Sequence, residues 1–185
     1  MSEKYKVGVL VGSLRAGSLN RKLAQAIASL VPDTLDFEFI EIGDLALFNE
    51  DLEPSPPEGW TAFRDRIRAI DAVMFVSPEY NRTIPAALKN AIDVGSRPYG
   101  QSVWSGKPAA VITGSPSGIG GFGANHNIRQ ALVFLDMPVM QQPEAYVSGI
   151  AAMFGDDGSV NDANTRTFLA SIGSRFAEWI ATVRG

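Results

Sequence analysis

The feature that most constrains this chain is an alternation: short runs of apolar, often β-branched residues take turns with stretches that keep helical spacing. Tyr5 to Val11 reads as a buried strand. Leu19, Leu23, Ile27, Leu30 and Val31 then recur at helical intervals, and Pro32 is placed to stop that helix. Leu35 to Ile42 alternates apolar and acidic residues, as a second strand does. Residues 43–59 hold Gly43, Pro54, Pro56, Pro57 and Gly59, and predict a loop long enough to have a role. Trp60, Phe63, Ile67 and Ile70 mark a second helix, and Ala72 to Val76 a third strand. Ile84, Leu88 and Ile92 mark a third helix with Pro85 in its first turn. Ala109 to Thr113 is the fourth strand, Ile128 to Leu135 a fourth helix, and Pro138 to Met140 opens a short fifth strand. Phe168, Leu169, Ile172, Phe176, Trp179, Ile180 and Val183 trace one face of a terminal helix.

Strands that are apolar throughout, alternating with helices, imply an α/β fold whose parallel sheet is covered on both faces. Five strands in 185 residues fit one domain spanning 1–185, a three-layer sandwich with the doubly wound strand order 2-1-3-4-5. In that order ligands sit outside the C-terminal ends of strands 1, 3 and 4. The loops that matter are therefore those after Val11, Val76 and Thr113.

Composition removes several chemistries. The chain has no cysteine, which excludes disulfides, thiolate metal sites, Cys nucleophiles and CxxC redox chemistry. Its one histidine, His126, argues against a His-based metal cage or a Ser-His-Asp triad, and is expected near a helix start in a structural or surface setting. The net charge is −4 and the 16 basic residues are spread along the chain, so no nucleic-acid partner is expected. No run approaches the roughly 18 apolar residues of a membrane span. The apolar stretch near the N-terminus, punctuated by Gly8 and Gly12, is too short for a signal sequence. No membrane partner and a cytoplasmic location are the expectation. Asp156-Asp157-Gly158 resembles part of a calcium loop but lacks the alternating ligands and the distal glutamate.

The first loop, GSLRAGSLN from Gly12 to Asn20, brings Ser13, Arg15 and Ser18 to the start of a helix, whose free N–H groups and dipole attract phosphate. Arg15 can fork onto phosphate oxygens. Gly12 and Gly17 match the glycines of a Walker A loop, but Ser18 stands where its lysine would be, which points away from a triphosphate and toward a terminal monophosphate. An ordinary N-cap at Ser18 with a solvated arginine explains the same residues without a ligand. The second loop, Pro78 to Pro85, could offer its backbone to the polar edge of a flat heterocycle, with Tyr80 packed on it. A plain turn with a partly exposed tyrosine fits equally. The third, Gly114 to Gly123, holds Gly118, Gly120 and Gly123 in GxGxxG spacing, but after the fourth strand rather than the first, where dinucleotide folds carry it. Pro116 sits where a nucleophile elbow needs serine. A closely approached backbone beside a flat ligand and a mobile glycine loop both remain open. Arg129 and Glu144 could form a contact pair between subunits, or be solvated charges.

GSLRAGSLN after strand 1 and PEYNRTIPAALKNAID after strand 3, in this order, resemble the NAD(P)H-dependent FMN reductase family, within it the bacterial quinone reductases also described as chromate reductases. The resemblance runs from about Lys4 to about Glu144. It implies a flavodoxin-like fold with non-covalent FMN. Ser13, Arg15, Ser18 and Asn20 would hold the phosphate, with a backbone N–H from Leu19. Pro78, Glu79, Tyr80 and Asn81 would line the ring, largely through backbone, and Ser115, Ser117 and Gly118 would close its other side. It further implies a homodimer or homotetramer, with NADH or NADPH as co-substrate. A nicotinamide would pass hydride to the flavin and leave; a quinone, chromate or another acceptor would then take the electrons, in a ping-pong scheme that names no catalytic side chain. Two other readings use the same fold: a flavodoxin-like electron carrier, and a flavin-dependent sensor or interaction module.

Overall fold

A computed structural model of the protein describes residues 4–31, 33–155 and 158–185. The expected helix stop at Pro32 and the Asp156-Asp157 part of the calcium-like turn lie outside the described residues. The strands are β1 (Tyr5–Val11), β2 (Leu35–Phe39), β3 (Ala72–Ser77), β4 (Ala109–Gly114) and β5 (Ala145–Val147). The helices are α1 (Leu19–Leu30), α2 (Glu58–Arg68), α3 (Ala86–Gly95), α4 (Phe122–Phe134) and α5 (Ala163–Arg184). The sheet has the order β2-β1-β3-β4-β5, and every adjacent pair is parallel. This is the expected flavodoxin-like order.

Strand alternation sorts the core into two faces. Val7, Val9 and Val11 of β1, with Met74 and Val76 of β3, pack against Leu23 and Ile27 of α1 and Leu169, Ile172 and Phe176 of α5. Leu10, Val73, Phe75 and Val111 point the other way, onto Trp60 and Phe63 of α2, Leu88 of α3, Ile128 of α4, and Trp104. Every residue of β3 and β4 is buried, which is why both strands read as apolar runs until Ser77 and Thr113 near their C-terminal ends. The two buried indoles have partners: Trp60 donates to the Ala46 carbonyl at 2.8 Å and Trp104 to that of Ile92 at 2.9 Å. The loop after β2 is pinned by Asn90 of α3, which accepts from the Phe48 N–H at 2.8 Å and donates to the carbonyls of Leu45 and Ala46 at 3.1 Å each. Among the described residues no helix is long and apolar enough to cross a membrane.

Three boundaries depart from the sequence reading. The ladder of β2 ends at Phe39, although Ile40 still donates to the Val9 carbonyl. Helix α4 begins at Phe122, well before Ile128, inside the expected glycine loop; Gly121, at φ 79°, turns the chain into it. Pro138 to Met140 forms only an isolated bridge, Val139 beside Ala109. The chain leaves the ladder at residues 141–144, where Pro143 has no N–H to give, and β5 proper follows at Ala145–Val147.

Candidate functional site

The loops after β1, β3 and β4 lie side by side at the C-terminal edge, because β1, β3 and β4 are consecutive in the sheet. The first is held at its root by Gly12, whose N–H donates to the Val76 carbonyl at 2.9 Å. A Cβ on Gly12 would lie 2.3 Å from the Ser77 hydroxyl, so this approach of β1 to β3 needs glycine. Ser18 caps α1: its hydroxyl oxygen accepts from the Arg21 N–H at 3.1 Å, leaving the hydroxyl proton to be donated elsewhere. Among the described residues, the N–H groups of Leu19 and Asn20 meet no protein acceptor, and Arg15 is exposed without an ion pair. Ser13 stands half-buried beside them. Asn20 is buried in the seam between α1 and β4. Its amide donates to the Gly114 carbonyl at 3.0 Å, while its Oδ1 has no hydrogen-bond partner. That oxygen calls for a donor, and the amide keeps one hydrogen for a further acceptor.

The second loop is a two-residue hairpin. Tyr80 and Thr83 exchange backbone bonds of 3.2 and 3.0 Å around Asn81 and Arg82, whose φ values are 50° and 66°. Asparagine tolerates that left-handed conformation; arginine adopts it at a cost. Pro78 is half-buried and Tyr80 is 46% exposed at the rim.

Glu79 does something the sequence did not show. Its side chain is only 10% exposed. One carboxylate oxygen accepts from the Arg82 guanidinium at 3.0 Å; the other accepts from the backbone N–H of Ala124, in the first turn of α4, at 3.0 Å. Gly121 gives that helix no side-chain cap, so Glu79 caps it from another loop. Asn127 of α4 reciprocates, donating to the Gly123 carbonyl at 2.6 Å and the Arg82 carbonyl at 3.4 Å. The second and third loops thus brace each other.

In the third loop, the Ser115 hydroxyl accepts from the Ser117 N–H at 3.1 Å, and the two hydroxyls lie 2.9 Å apart. The Gly118 carbonyl accepts from Ser148 at 2.9 Å. Of the three glycines in GxGxxG spacing, Gly120 and Gly123 are needed for packing, while a Cβ on Gly118 would meet nothing within 4 Å. A Cβ on Gly120 would lie 2.4 Å from the Tyr146 carbonyl carbon, and one on Gly123 would lie 2.7 Å from the Arg82 oxygen. Beside this loop Phe122, His126 and Tyr146 form an aromatic cluster, with the Phe122 and His126 rings 4.0 Å apart. His126 is exposed on α4, in the surface setting expected.

Within one chain, Arg129 is half-buried and its guanidinium is held by backbone and side-chain acceptors of its own fold. It donates to Asn125 Oδ1 at 2.8 Å and to the Met140 carbonyl at 2.9 Å, clamping α4 to the segment before β5. Burial pushes its pKa down, partly offset by Tyr146 and Glu144. Asn125, fully buried, also donates to the Val111 carbonyl at 3.3 Å. Nothing in the sequence pattern singles Asn125 out.

Residues 5–152 match the family model described as NADPH-dependent FMN reductase. The chain belongs to that family. Within the NADPH-dependent FMN reductases it is similar to a quinone reductase of Pseudomonas putida KT2440, 61% identical over 181 residues and covering 97% of each chain. It is also similar to a 2-hydroxy-1,4-benzoquinone reductase of a Burkholderia species, 41% identical, covering 95% of this chain and 96% of that one. Among solved structures it resembles FerB, a flavoenzyme NAD(P)H:(acceptor) oxidoreductase of Paracoccus denitrificans, with a TM-score of 0.91 and 43% identity over 96% of this chain and 98% of that one.

The residues present fit the family's flavin. The first turn of α1 and Arg15 offer donors to a phosphate, the Asn20 oxygen suits a donor such as a ribityl hydroxyl, and the second loop offers backbone to a heterocycle.

Proposed function

We propose that the protein is an FMN-containing NAD(P)H:quinone oxidoreductase, with the flavin seated across its three switch-point loops. The observation that carries this is the pairing of unused donors at the start of α1 with the buried, partnerless oxygen of Asn20, next to two loops that brace each other. When bound, FMN supplies the hydride and electron transfer between nicotinamide and quinone. The chain's own work is placement. Ser13, Arg15, Ser18 and the N–H groups of Leu19 and Asn20 hold the phosphate at the positive end of α1. Pro78, Glu79, Tyr80 and Asn81 present backbone to the ring edge, with the Glu79 carboxylate fixing the loop rather than touching the ring. Ser115, Ser117 and Gly118 close the far side. One domain, residues 1–185, contains the whole site, and no side chain is required as nucleophile or base.

Quinones are the acceptors, with chromate as a further one that an open ring face admits. The protein works in the cytoplasm with its soluble co-substrate. It assembles as a homodimer or homotetramer through the surface of α3 and α4, where Phe134, 89% exposed, shares a shallow apolar surface with Tyr80 and Ile84. A sedimentation measurement that finds only monomer at micromolar holoprotein would refute the assembly.

Anaerobic stopped-flow tests the activity. The yellow protein bleaches on mixing with NADH or NADPH, and colour returns on adding a quinone; absence of bleaching with both nicotinamides overturns the reading. Arg15→Gln weakens FMN binding about tenfold, as expected for one charge-assisted bond.

A further inference from the structure

A second cleft, of about 480 Å³, opens on the other side of the phosphate loop, between the ends of β1 and β2. Ser13, Leu14 and Arg15 line it from the loop, and Phe39, Glu41 and Asp44 from the chain after β2. We propose that this cleft binds the adenosine ribose of the reduced nicotinamide, that Glu41 reads its 2′ and 3′ hydroxyls, and that the enzyme therefore prefers NADH to NADPH. The proposal rests on the reductase reading above.

The argument begins with topology. In dinucleotide-binding sheets the phosphate loop follows the first strand, and an acidic residue about 20 positions further on binds the ribose hydroxyls. Here β1, the phosphate loop, α1 and β2 make the same unit, and Glu41 stands 24 positions after Gly17, two beyond the end of β2. The glycine fingerprint of those folds is absent from this loop, so the sequence alone does not reveal the parallel.

The chemistry of the cleft agrees. Arg21 grips both oxygens of Glu41, one bond being 3.2 Å, and its guanidinium lies over the Phe39 ring at 5.4 Å. This grip fixes the carboxylate's orientation and holds its pKa below the usual range. Each oxygen keeps a further lone pair for a hydroxyl. Leu14, 59% exposed, and Phe39 give apolar surface to a base. Asp44 adds a second negative charge, which disfavours a 2′-phosphate; of the two cations lining the cleft, Arg21 is engaged by Glu41 and Arg15 serves the flavin phosphate. With neighbouring strands about 4.8 Å apart, the ends of β2 and β4 are separated by about 14 Å, a gap that a pyrophosphate and two riboses bridge.

Calorimetry on the FMN-loaded protein tests this without turnover, using ADP-ribose and its 2′-phosphorylated form as ligands. ADP-ribose is expected to bind more tightly. Glu41→Gln weakens ADP-ribose about tenfold and narrows the gap to the phosphorylated ligand, since one charge-assisted bond is lost and Arg21 is released. Arg21→Ala is expected to widen the gap. The kcat/KM ratio of NADH to NADPH moves the same way in each variant, and flavin absorbance reports whether the variants are folded and loaded. Equal affinity for the two ligands, or a ratio that Glu41→Gln leaves unchanged, overturns the proposal. If the wild-type flavin bleaches with a nicotinamide yet that ratio stays fixed, only the cleft assignment fails. If neither nicotinamide bleaches it, the reductase reading fails as well.

Discussion

Removing the Glu79 carboxylate tests how the site is held in shape. Its bond to the Ala124 N–H is charge-assisted and only 10% of the side chain is exposed, so water replaces it poorly. Losing a cap costs about 1 kcal/mol, the helix-dipole contribution of a partly buried anion reaches about 2, and a hydrogen bond to a charged group contributes about 1.5–3. These describe one interaction from three sides and do not add, so Glu79→Ala is expected to cost about 2–3 kcal/mol. The Arg82 partner is 72% exposed, and its share is close to zero. At about 2–4 °C per kcal/mol for a chain of this length, the midpoint falls by roughly 5–10 °C. Glu79→Gln keeps an oxygen for the Ala124 N–H and loses only the charge, so about 0.5–1 kcal/mol is expected. Urea unfolding of the cofactor-free protein measures both, and FMN titration is expected to show weaker binding for the alanine variant, because the second and third loops lose their brace. If Glu79→Ala falls within 0.5 kcal/mol of wild type, or if both variants lose equally, the capping argument is wrong.

Two further outcomes follow from local geometry. Gly120→Ala combines a left-handed φ of 59° with a Cβ 2.4 Å from the Tyr146 carbonyl carbon, so it is expected to cost about 2–4 kcal/mol and to displace the third loop, read by unfolding midpoint and FMN affinity; a change under 1 kcal/mol would refute it. Lys107 donates to the Ile70 carbonyl at 2.7 Å, and burial, reinforced by Arg184, pushes its pKa down despite Asp71. A lysine lowered on folding makes the native state the weaker proton binder, so stability should rise with pH from its folded pKa up to about 10.4. Comparing the unfolding free energy of wild type and Lys107→Met over that alkaline range isolates the slope; no difference between them would refute it.

The sheet was legible because its chemistry is repetitive. Strands buried on both faces are predominantly apolar, and Ala72–Ser77 and Ala109–Gly114 are, up to Ser77 and Thr113 at their C-terminal ends. The phosphate loop was legible because helix starts attract anions by a local rule. Contacts made across the fold were not. Glu79 looks like one more loop acid until α4 arrives beside it, and α4 itself starts early only because Gly121 and that distant carboxylate let it. Asn125 and Arg129 form a clamp whose partners, Val111 and Met140, lie in separate elements with no shared spacing. Glu41 lies in an alternating run that explained it as a strand residue, and its meeting with Arg21 depends on how β2 lies beside α1.

The central position of β1 also has a price in time. This strand is synthesised first, yet its second neighbour is β3, with Val11 opposite Val76 some 65 residues later. At about 5–20 residues per second, a nascent chain presents the Val-Gly-Val-Leu-Val edge for roughly 3–13 s before that partner has been made. A short, uncharged, β-prone segment left open for that long is the kind that pairs with other chains. Production of this enzyme in cells should therefore depend less on the stability of the finished sheet than on what shelters its first strand while the third is on its way.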